Sequence, residues 1–407
     1  MIVSGIIAEY NPLHNGHLYH INATRQLTGA DYIVCVMSSN FVQRGEAAIV
    51  NKWFRTQMAL AAGIDIVIEL PCLYATQNAE QFAFNAVKLL NSTGIIDYLC
   101  FGSESGDLSS LITTANLLHD EPLKLKSVIK EKLSQGMSYP SAIAQALSYI
   151  NSDFSLTPNN ILALEYIKAL KKLNSQIKPV TVKRLYSSYN STALQGEISS
   201  ATSIRKTILE RSLAYEGIQR AIPEFSKSIL SNAFQRGYGP ISMDAILLVI
   251  LHELRKMPLT QLRNISDISE GLEYRIKKAA KEAGTFEMLI KLAKTKRYTW
   301  ARIQRAIIHA MLGITDEMIH NLHIEGGPQY IRILGFSESG RKLLKHIDAK
   351  CSLPILSKAA DYKNVLPAIG RTLFETEIYA TDLYSLAYPN AELRRAGNEF
   401  TQDLYHI

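Results

Sequence analysis

Cysteine is scarce in this sequence, and the placement of the few cysteines excludes two kinds of stabilisation. Four occur in 407 residues, at positions 35, 72, 100 and 351. None forms the Cys-x-x-Cys pair typical of zinc sites and redox motifs, and the first three lie in apolar, strand-like runs where a buried thiol is the ordinary role. We therefore expect neither disulfides nor a metal site built on cysteine.

Long apolar runs are also missing. No stretch reaches the roughly 18 apolar residues of a membrane span, and residues 1–12 contain neither a basic region nor a small-residue cleavage site. We expect a cytoplasmic protein without membrane contact. Hydrophobic residues make up 47% and charged residues 20% of the chain, which excludes disordered and fibrous classes. At roughly 100 to 200 residues per domain, the length predicts several domains.

Short β-branched runs alternate with helix-like segments in the first half of the chain. Residues 2–8, 32–37, 64–70 and 96–101 have the pattern of buried strands, with helix-like segments at about 16–28, 51–62 and 78–91. This alternation predicts a parallel sheet with right-handed crossovers. A fifth strand at 179–185 follows a helical insertion at about 107–173, and another helix begins near residue 200. The prediction is a doubly wound α/β domain over residues 1–212.

The second half is predicted to form a separate α-rich domain, residues 213–407. Its periodicity indicates helices at 241–256, 271–284, 299–312, 315–323, 338–347 and 391–405. The net charge of +7 is clustered here, because ten basic and two acidic residues lie between Arg275 and Arg305. Interleaved cations and aromatics, here with Tyr298 and Trp300, are typical of RNA contact, whereas a solvated helix face is the alternative.

Two histidines frame a glycine just after the first predicted strand, in the segment His14-Asn15-Gly16-His17. The carboxyl end of such a strand faces the ligand crevice, and the next helix presents free N–H groups to a phosphate. Both imidazoles can donate hydrogen bonds to phosphoryl oxygens as charge develops on them. With His20, three histidines lie within seven residues, but neither their spacing nor a neighbouring carboxylate or cysteine completes a metal-ligand set. We predict a phosphate site and no metal; a turn-capping role for the histidines is the alternative.

The His14–His17 segment is similar to the HxGH motif of the nucleotidyltransferase superfamily, which binds ATP on a Rossmann-like sheet and reacts at its α-phosphate. A second segment, SSATSIR at residues 199–205, resembles the ISSTxIR segment of that superfamily. There an arginine and hydroxyls hold the β- and γ-phosphates. Ala201 stands where a serine is expected, so Thr202 and Arg205 are the candidates for this role.

Six segments, spread over nearly the whole chain and including the His14–His17 motif, resemble the bacterial tRNA(Met) cytidine acetate ligase family. They are GIIAEYNPLHNGHLYHI, FVQRGEAAIVNKW, DIVIELP, FGSES, PNNILALEY and TDLYSLAYP. The family activates acetate as acetyl-adenylate and transfers the acetyl group to N4 of the wobble cytidine in the anticodon of elongator methionine tRNA. The resemblance therefore implies ATP, acetate and this tRNA as substrates, and we expect Mg²⁺ to accompany the ATP.

The resemblance also assigns residues to the reaction. It implies catalytic roles for His14, His17 and Arg205. The implied ATP site comprises Ile7, Ala8, Glu9, Tyr10, Asn11, Pro12, Leu13, Asn15, Gly16, Leu18, Tyr19, His20, Gly102, Asn159 or Asn160, Arg184 and Thr202.

Several cations are candidates for contact with substrate or tRNA. Arg44 follows the second strand, where it could orient acetate or a nucleotide. Lys52 and Arg55 open the next helix, which is unfavourable for cations unless an anion is near. The predicted tRNA surface adds Lys294, Lys296, Arg297, Arg302 and Arg305. Surface ion pairs or a solvated helix face are the alternative interpretation.

Glu9, Glu69 and Glu104 end or follow three strands, so they could meet at the crevice edge as magnesium, ribose or general-base partners. Two other functions share the same core: an adenylyltransferase for a small phosphorylated metabolite, and a catalytically silent RNA-binding module. The clustered basic charge favours a macromolecular acceptor and so argues against the adenylyltransferase for a small metabolite. The silent RNA-binding module is disfavoured because the motif residues are intact, namely His14, Gly16, His17 and Arg205.

Overall fold

The computed structural model describes residues 1–120, 122–137, 139–148, 157–184 and 199–407. In these ranges the strands are β1 (Val3–Ala8), β2 (Tyr32–Ser38), β3 (Phe41–Val42), β4 (Glu46–Ala47), β5 (Ile66–Leu70), β6 (Tyr98–Ser103), β7 (Lys178–Lys183), β8 (Ile331–Phe336), β9 (Ile355–Leu356) and β10 (Tyr405–His406).

The helices of the first half are α1 (Asn15–Thr28), α2 (Lys52–Ala61), α3 (Cys72–Ala75), α4 (Ala79–Ser92), α5 (Leu108–Asp120), α6 (Leu123–Ser134), α7 (Tyr139–Ser148), α8 (Pro158–Lys172) and α9 (Ala201–Arg211). Those of the second half are α10 (Glu216–Ala221), α11 (Glu224–Gln235), α12 (Leu247–Lys256), α13 (Leu259–Leu262), α14 (Leu272–Glu282), α15 (Phe286–Ala293), α16 (Trp300–Leu312), α17 (Asp316–Ile324), α18 (Glu338–Lys350), α19 (Tyr362–Val365), α20 (Ala368–Ser385) and α21 (Asn398–Thr401). Short 3₁₀ turns lie at Met243–Ile246, Ala359–Asp361 and Ala391–Leu393.

The main sheet has the strand order β10-β8-β5-β2-β1-β6-β7, with β9 paired to β8. Strands β5, β2, β1, β6 and β7 are mutually parallel. The central strand β1 pairs on both sides, with Ser4 opposite Ile33 of β2 and Tyr98 of β6. The predicted doubly wound parallel sheet is confirmed, and its five predicted strands are all present.

The carboxyl ends of these parallel strands define one edge of the sheet, and the following loops and helices enclose it. Helix α1 begins directly after the β1 loop, and α8 packs against α4, α5 and β6. Strands β3 and β4 form a small antiparallel hairpin after β2, with Phe41 opposite Ala47. This arrangement places the loops after β1, β2 and β6 around one crevice, as expected at a point where the strand order reverses.

The second half is helix-rich, but it also completes the sheet. Strand β8 runs antiparallel to β5, and β9 and β10 pair with β8. One apolar core runs from Val34 and Ile68 of the sheet to Ile307 of α16 and Phe374 of α20. The predicted helix at 391–405 is wrong, because this stretch forms a 3₁₀ turn, the short α21 and strand β10. The boundary at residue 212 stays a prediction.

The helical insertion consists of α5 to α8 in the described residues. Residues 121, 138 and 149–156 of that insertion, and residues 185–198 after β7, lie outside the described ranges. Among the described residues, no helix combines the length and the apolar character needed to cross a membrane.

Candidate active site

A cleft of about 250 Å³ lies at the carboxyl edge of the sheet. Its floor is the end of β1, one wall is α1, and the opposite walls are the hairpin of residues 41–47 and the start of α9. The described lining residues are Ile6, Ile7, Ala8, Glu9, Tyr10, His14, Gly16, His17, Tyr19, His20, Val42, Gln43, Arg44, Glu46, Phe82, Phe101, Gly102, Asn159, Leu162, Tyr166, Val182, Arg184, Ser199, Ser200, Ala201, Thr202 and Arg205. Most of the predicted site residues therefore meet in one place.

His14 and His17 cap helix α1 reciprocally. The Nδ1 atom of His14 accepts a hydrogen bond from the Gly16 N–H at 3.1 Å, and Nδ1 of His17 accepts one from the His14 N–H at 3.3 Å. An imidazole that accepts at Nδ1 carries its proton on Nε2 when it is neutral. Both histidines can therefore offer an Nε2–H donor to a ligand in the cleft. The predicted alternative, a turn-capping role, is compatible with this, because capping uses Nδ1 and leaves Nε2.

The environment keeps these imidazoles neutral. Burial lowers the pKa of His14 to about 3, and the nearby Arg184 and Arg205 add to this effect. Burial, together with His14, also lowers the pKa of His17 far below its usual value. The pKa of His20 falls to about 4, again chiefly through burial. Neutral His14 and His17 can therefore donate from Nε2, and Arg184 and Arg205 supply the positive charge of the cleft.

Arg205 lies across the cleft on helix α9. Its guanidinium donates from Nη1 to the Asn11 carbonyl at 2.9 Å and from Nη2 to the Glu46 carboxylate at 2.9 Å. Helix α9 is capped by Ser200, whose hydroxyl accepts from the Ser203 N–H at 3.1 Å. The first turns of α1 and α9 contain no acidic residue, and both face the cleft. Two positive helix ends and an arginine are features that favour the binding of an anion.

A polar network closes the other end of the cleft, near the ends of β6 and β7. Asn159 donates from Nδ2 to Glu104 at 2.6 Å and accepts from Arg184 at 3.1 Å. A Cβ atom on Gly102 would lie 3.3 Å from Cγ of Arg184, so the glycine leaves room beside this arginine. Asn159 lines the cleft, whereas the buried Asn160 accepts from the Glu104 N–H at 3.1 Å. The geometry selects Asn159 from the two predicted alternatives.

Of the three strand-end glutamates, the structure brings only Glu9 to the cleft. Its Oε1 accepts from the Gln43 N–H at 2.9 Å, and burial raises its pKa. Glu104 instead accepts a hydrogen bond from Asn159, while Glu69 is buried beside Lys52. The expected convergence of all three is therefore wrong, because β5 ends inside the core that the second half of the chain covers.

Comparison with known proteins identifies the family. A family model described as HIGH Nucleotidyl Transferase matches residues 1–399. The chain is 46% identical over 413 residues to the tRNA(Met) cytidine acetate ligase of Acetivibrio thermocellus, covering 99% of each chain. It is also 46% identical to the corresponding protein of Thermoanaerobacter sp., covering 100% of each chain.

The chain belongs to the tRNA(Met) cytidine acetate ligase family. The resemblance seen in the sequence is thus confirmed. The fold agrees as well: the chain is similar to Thermotoga maritima TmcAL bound with alpha-thio ATP, with a TM-score of 0.93, 34% identity and 100% coverage of each chain. The apo form of that protein gives a TM-score of 0.95 at the same identity and coverage.

In this family member, Lys52 and Arg55 are buried, so their prediction as tRNA contacts is wrong. Both residues have 0% exposed surface. Arg55 donates from Nη1 to the backbone carbonyls of Glu9 at 2.7 Å and Ser38 at 2.9 Å, which fixes the loops that follow β1 and β2. The anions that compensate the positive charge of Lys52 at the start of α2 belong to the protein itself.

Those anions are the carboxylates of Glu69, Glu377 and Glu399, which surround Lys52. The ammonium contacts all three, with Glu377 at 2.9 Å, and Arg332 pairs with Glu69 at 3.2 Å and with Glu399. The three carboxylates lie close enough together to hold a metal ion. Lys52 takes the place of such a cation and joins α2 to β5, α20 and α21, while Arg332 connects β8 to the same cluster.

The basic stretch before and within α16 divides into exposed and buried cations. Lys294, Lys296 and Arg297 are exposed. Arg302 is half buried and donates to the Asp267 carbonyl at 3.2 Å and the Ser269 hydroxyl at 2.7 Å. Arg305 is buried and pairs with the Asp267 carboxylate at 2.6 Å, so its prediction as a tRNA contact is wrong. Arg44, in contrast, lines the cleft as predicted.

Several cleft residues were not predicted from the sequence. Phe82, Phe101 and Tyr166 form an apolar wall, and Glu46 contacts Arg205. Tyr166 resembled an ordinary core residue because it lies on the apolar face of a helix. Glu46 occurs in a motif that marks the family, but no local pattern indicates a contact with a residue 159 positions away.

Proposed function

We propose that this chain is an ATP-dependent ligase that activates acetate as acetyl-adenylate and transfers the acetyl group to N4 of the wobble cytidine of elongator tRNA(Met). The observation that supports this most strongly is the pair of neutral imidazoles, His14 and His17, with Nε2–H donors at the start of α1 and Arg205 across the cleft. We expect the protein to act in the cytoplasm, where its tRNA substrate is found.

In the first step, a carboxylate oxygen of acetate attacks the α-phosphorus of ATP. The new oxygen–phosphorus bond forms as the bond between the α-phosphorus and the bridging oxygen breaks, and pyrophosphate leaves with the electron pair. Negative charge grows on the phosphoryl and pyrophosphate oxygens. Donors at His14 and His17 suit the α-phosphoryl oxygens, and the planar guanidinium of Arg205 suits pyrophosphate because it can bridge two oxygens.

In the second step, the N4 amine of cytidine attacks the acetyl carbon of acetyl-adenylate. The bond from that carbon to the phosphate oxygen breaks, AMP leaves with the electron pair, and the amine loses a proton. The base must leave its stack to reach the cleft, at a cost of a few kcal/mol. We propose that Lys294, Lys296 and Arg297, with the half-buried Arg302, contact the tRNA backbone and offset that cost.

We propose that the adenosine end of ATP lies beside Gly102, Asn159 and Arg184. Mg²⁺ would accompany the triphosphate and reduce its negative charge. The described lining of the cleft offers two carboxylates, Glu9 and Glu46, and Glu46 is already paired with Arg205. Glu9 therefore fits best as a ligand of a largely hydrated Mg²⁺, which commonly binds one or two carboxylates beside substrate phosphates.

The experiment that tests this function combines the pure protein, ATP, radiolabelled acetate and total tRNA, followed by digestion of the tRNA to nucleosides. We expect label in N4-acetylcytidine, dependent on ATP. Label absent from tRNA, with AMP transfer to a phosphorylated metabolite, would support the adenylyltransferase alternative. Binding of tRNA without consumption of ATP would support a silent RNA-binding module.

A further inference from the structure

Glu46 contacts both the phosphate-binding arginine and the C-terminal half of the chain. One carboxylate oxygen, Oε2, lies 2.9 Å from Nη2 of Arg205. The other, Oε1, accepts a hydrogen bond from Nε2 of Gln304 at 3.3 Å. Gln304 is buried on α16. A single carboxylate therefore connects α9, the hairpin of residues 41–47 and α16.

The hairpin and α16 are in direct backbone contact at the same place. Gly45 has φ of +76°, and a Cβ atom there would lie 2.5 Å from the Arg305 nitrogen. Only glycine adopts this conformation easily and also allows that approach. Arg305 is in turn held by Asp267 at 2.6 Å. The position of Glu46 is thus set by α16 as well as by its own hairpin.

We propose that Glu46 is a positioning residue, which holds the Arg205 guanidinium at the pyrophosphate end of the cleft and links it to α16. This inference rests on the proposed function, because it assigns Arg205 to the leaving group. The second Arg205 contact, to the Asn11 carbonyl at 2.9 Å, fixes one side of the fork. Glu46 fixes the other side, so the planar group has one orientation before ATP binds.

A carboxylate in this position has two opposite effects on ATP. It orients the guanidinium, which favours the transition state, but its negative charge repels the bound triphosphate. The pair is only partly exposed, at 16% for Arg205 and 24% for Glu46, so solvent does not fully screen that repulsion. Removal of the charge should therefore slow adenylation without weakening ATP binding. If Glu46 had only a structural role, its loss would impair both the rate of adenylation and the binding of ATP.

The test compares Glu46→Gln with wild type in two assays: the ATP dissociation constant by calorimetry, and the rate constant for acetate-dependent pyrophosphate release without tRNA. We expect an unchanged or lower dissociation constant, and a rate constant roughly 10- to 100-fold lower, the range for loss of a hydrogen bond to a charged group. As a control, Glu210→Gln removes a carboxylate from an exposed ion pair on α9, the helix of Arg205, and should change neither quantity.

A double-mutant cycle shows whether Glu46 acts through Arg205. If it does, Glu46→Gln should change the rate constant less than about twofold in an Arg205→Ala background, because coupled residues are not additive. Gln304→Met keeps the carboxylate and breaks its contact with α16. It should lower the rate constant severalfold at constant ATP affinity, and it serves as the second variant if Glu46→Gln folds poorly.

The proposal is overturned if Glu46→Gln leaves the rate constant unchanged, weakens ATP binding in parallel with the rate, or has its full effect without Arg205. Failure of the proposed function would look different. In that case the wild-type protein would bind ATP but release no pyrophosphate with acetate. The ATP affinities would still test Glu46, because Arg205→Ala should weaken binding and Glu46→Gln should not.

Discussion

The imidazole rings of His14 and His17 stack with their centroids 3.7 Å apart, and Nδ1 of each ring accepts a backbone N–H at the start of α1. This contact fixes both the orientation and the tautomer of the two rings. The HxGH spacing has a physical meaning here: the residue before the helix and the residue in its first turn cap each other through Nδ1, so each neutral ring carries its proton on Nε2.

We predict that His14→Ala or His17→Ala lowers acetate-dependent AMP formation about 100- to 1000-fold, the usual loss for one positioned donor. The affinity for tRNA should stay within about twofold. Steady-state AMP release and filter binding of tRNA measure the two effects. His119→Ala, which alters an exposed histidine on α5, is the matched control. Adenylation near the wild-type rate in both variants would leave the histidines with a capping role alone.

The free energy of unfolding should decrease as the pH is lowered, because the histidines are buried in their neutral form. The pKa of His14 is lowered to about 3 and that of His20 to about 4. Between these values and the unfolded value near 6.5, the unfolded chain binds more protons, so the free energy of unfolding decreases as pH falls through this window. Urea titrations from pH 7 to 5 should show a shallower decrease in His14→Gln. An identical pH dependence of the free energy of unfolding in that variant and in wild type would contradict the burial of His14 as a neutral imidazole.

Lys52→Met should destabilise the protein by about 3 to 5 kcal/mol, because it leaves three buried carboxylates without their central cation. Urea denaturation measures this loss. Lys206→Met removes an exposed helical cation, paired with Glu210 at 3.8 Å, and should cost less than about 0.5 kcal/mol. A loss below about 1 kcal/mol for Lys52→Met would show that the buried cluster contributes little to holding the two halves together.

The tRNA surface is best tested at the exposed cations. The triple variant Lys294→Ala, Lys296→Ala, Arg297→Ala should weaken tRNA binding and lower the log–log salt slope by about 0.7 to 0.9 for each lost phosphate contact. Acetyl-adenylate formation without tRNA should be unaffected. The control is Arg341→Ala, Lys342→Ala, Lys345→Ala, which removes the same charge from exposed positions on α18. Equal salt slopes in both triples would place the tRNA surface elsewhere.

The first half of the fold could be predicted because each local pattern agrees with its place in the structure. The strands β1, β2, β5, β6 and β7 are short, β-branched and buried, and helices between them have clear periodicity. Strand β8 was missed because a single buried run of six residues lies among helices, and nothing local pairs it with β5. Helix α20 was missed because it is buried on several sides, including at Glu377 and Thr381, so its apolar stripe is weak.

The site shows the same division between local and distant contacts. His14, Gly16, His17 and the start of α9 follow from motifs, since capping and helix ends are local properties. The roles of Lys52, Arg55 and Arg305 could not be predicted, because their partners lie far away in the sequence. Arg55, for example, binds the carbonyl of Glu9, 46 residues earlier. A cation at a helix start indicates a nearby anion, but it does not show whether that anion is a ligand or the protein.

The most direct test of an acetyl-adenylate intermediate uses acetate labelled with ¹⁸O in both oxygens, together with ATP and tRNA(Met). If acetate attacks the α-phosphorus beside His14 and His17, one ¹⁸O should appear in the phosphate of AMP and the other in the acetyl group of N4-acetylcytidine. Mass spectrometry of the two products measures both. Unlabelled AMP, or ADP with ¹⁸O in inorganic phosphate, would contradict an acetyl-adenylate intermediate formed at this site.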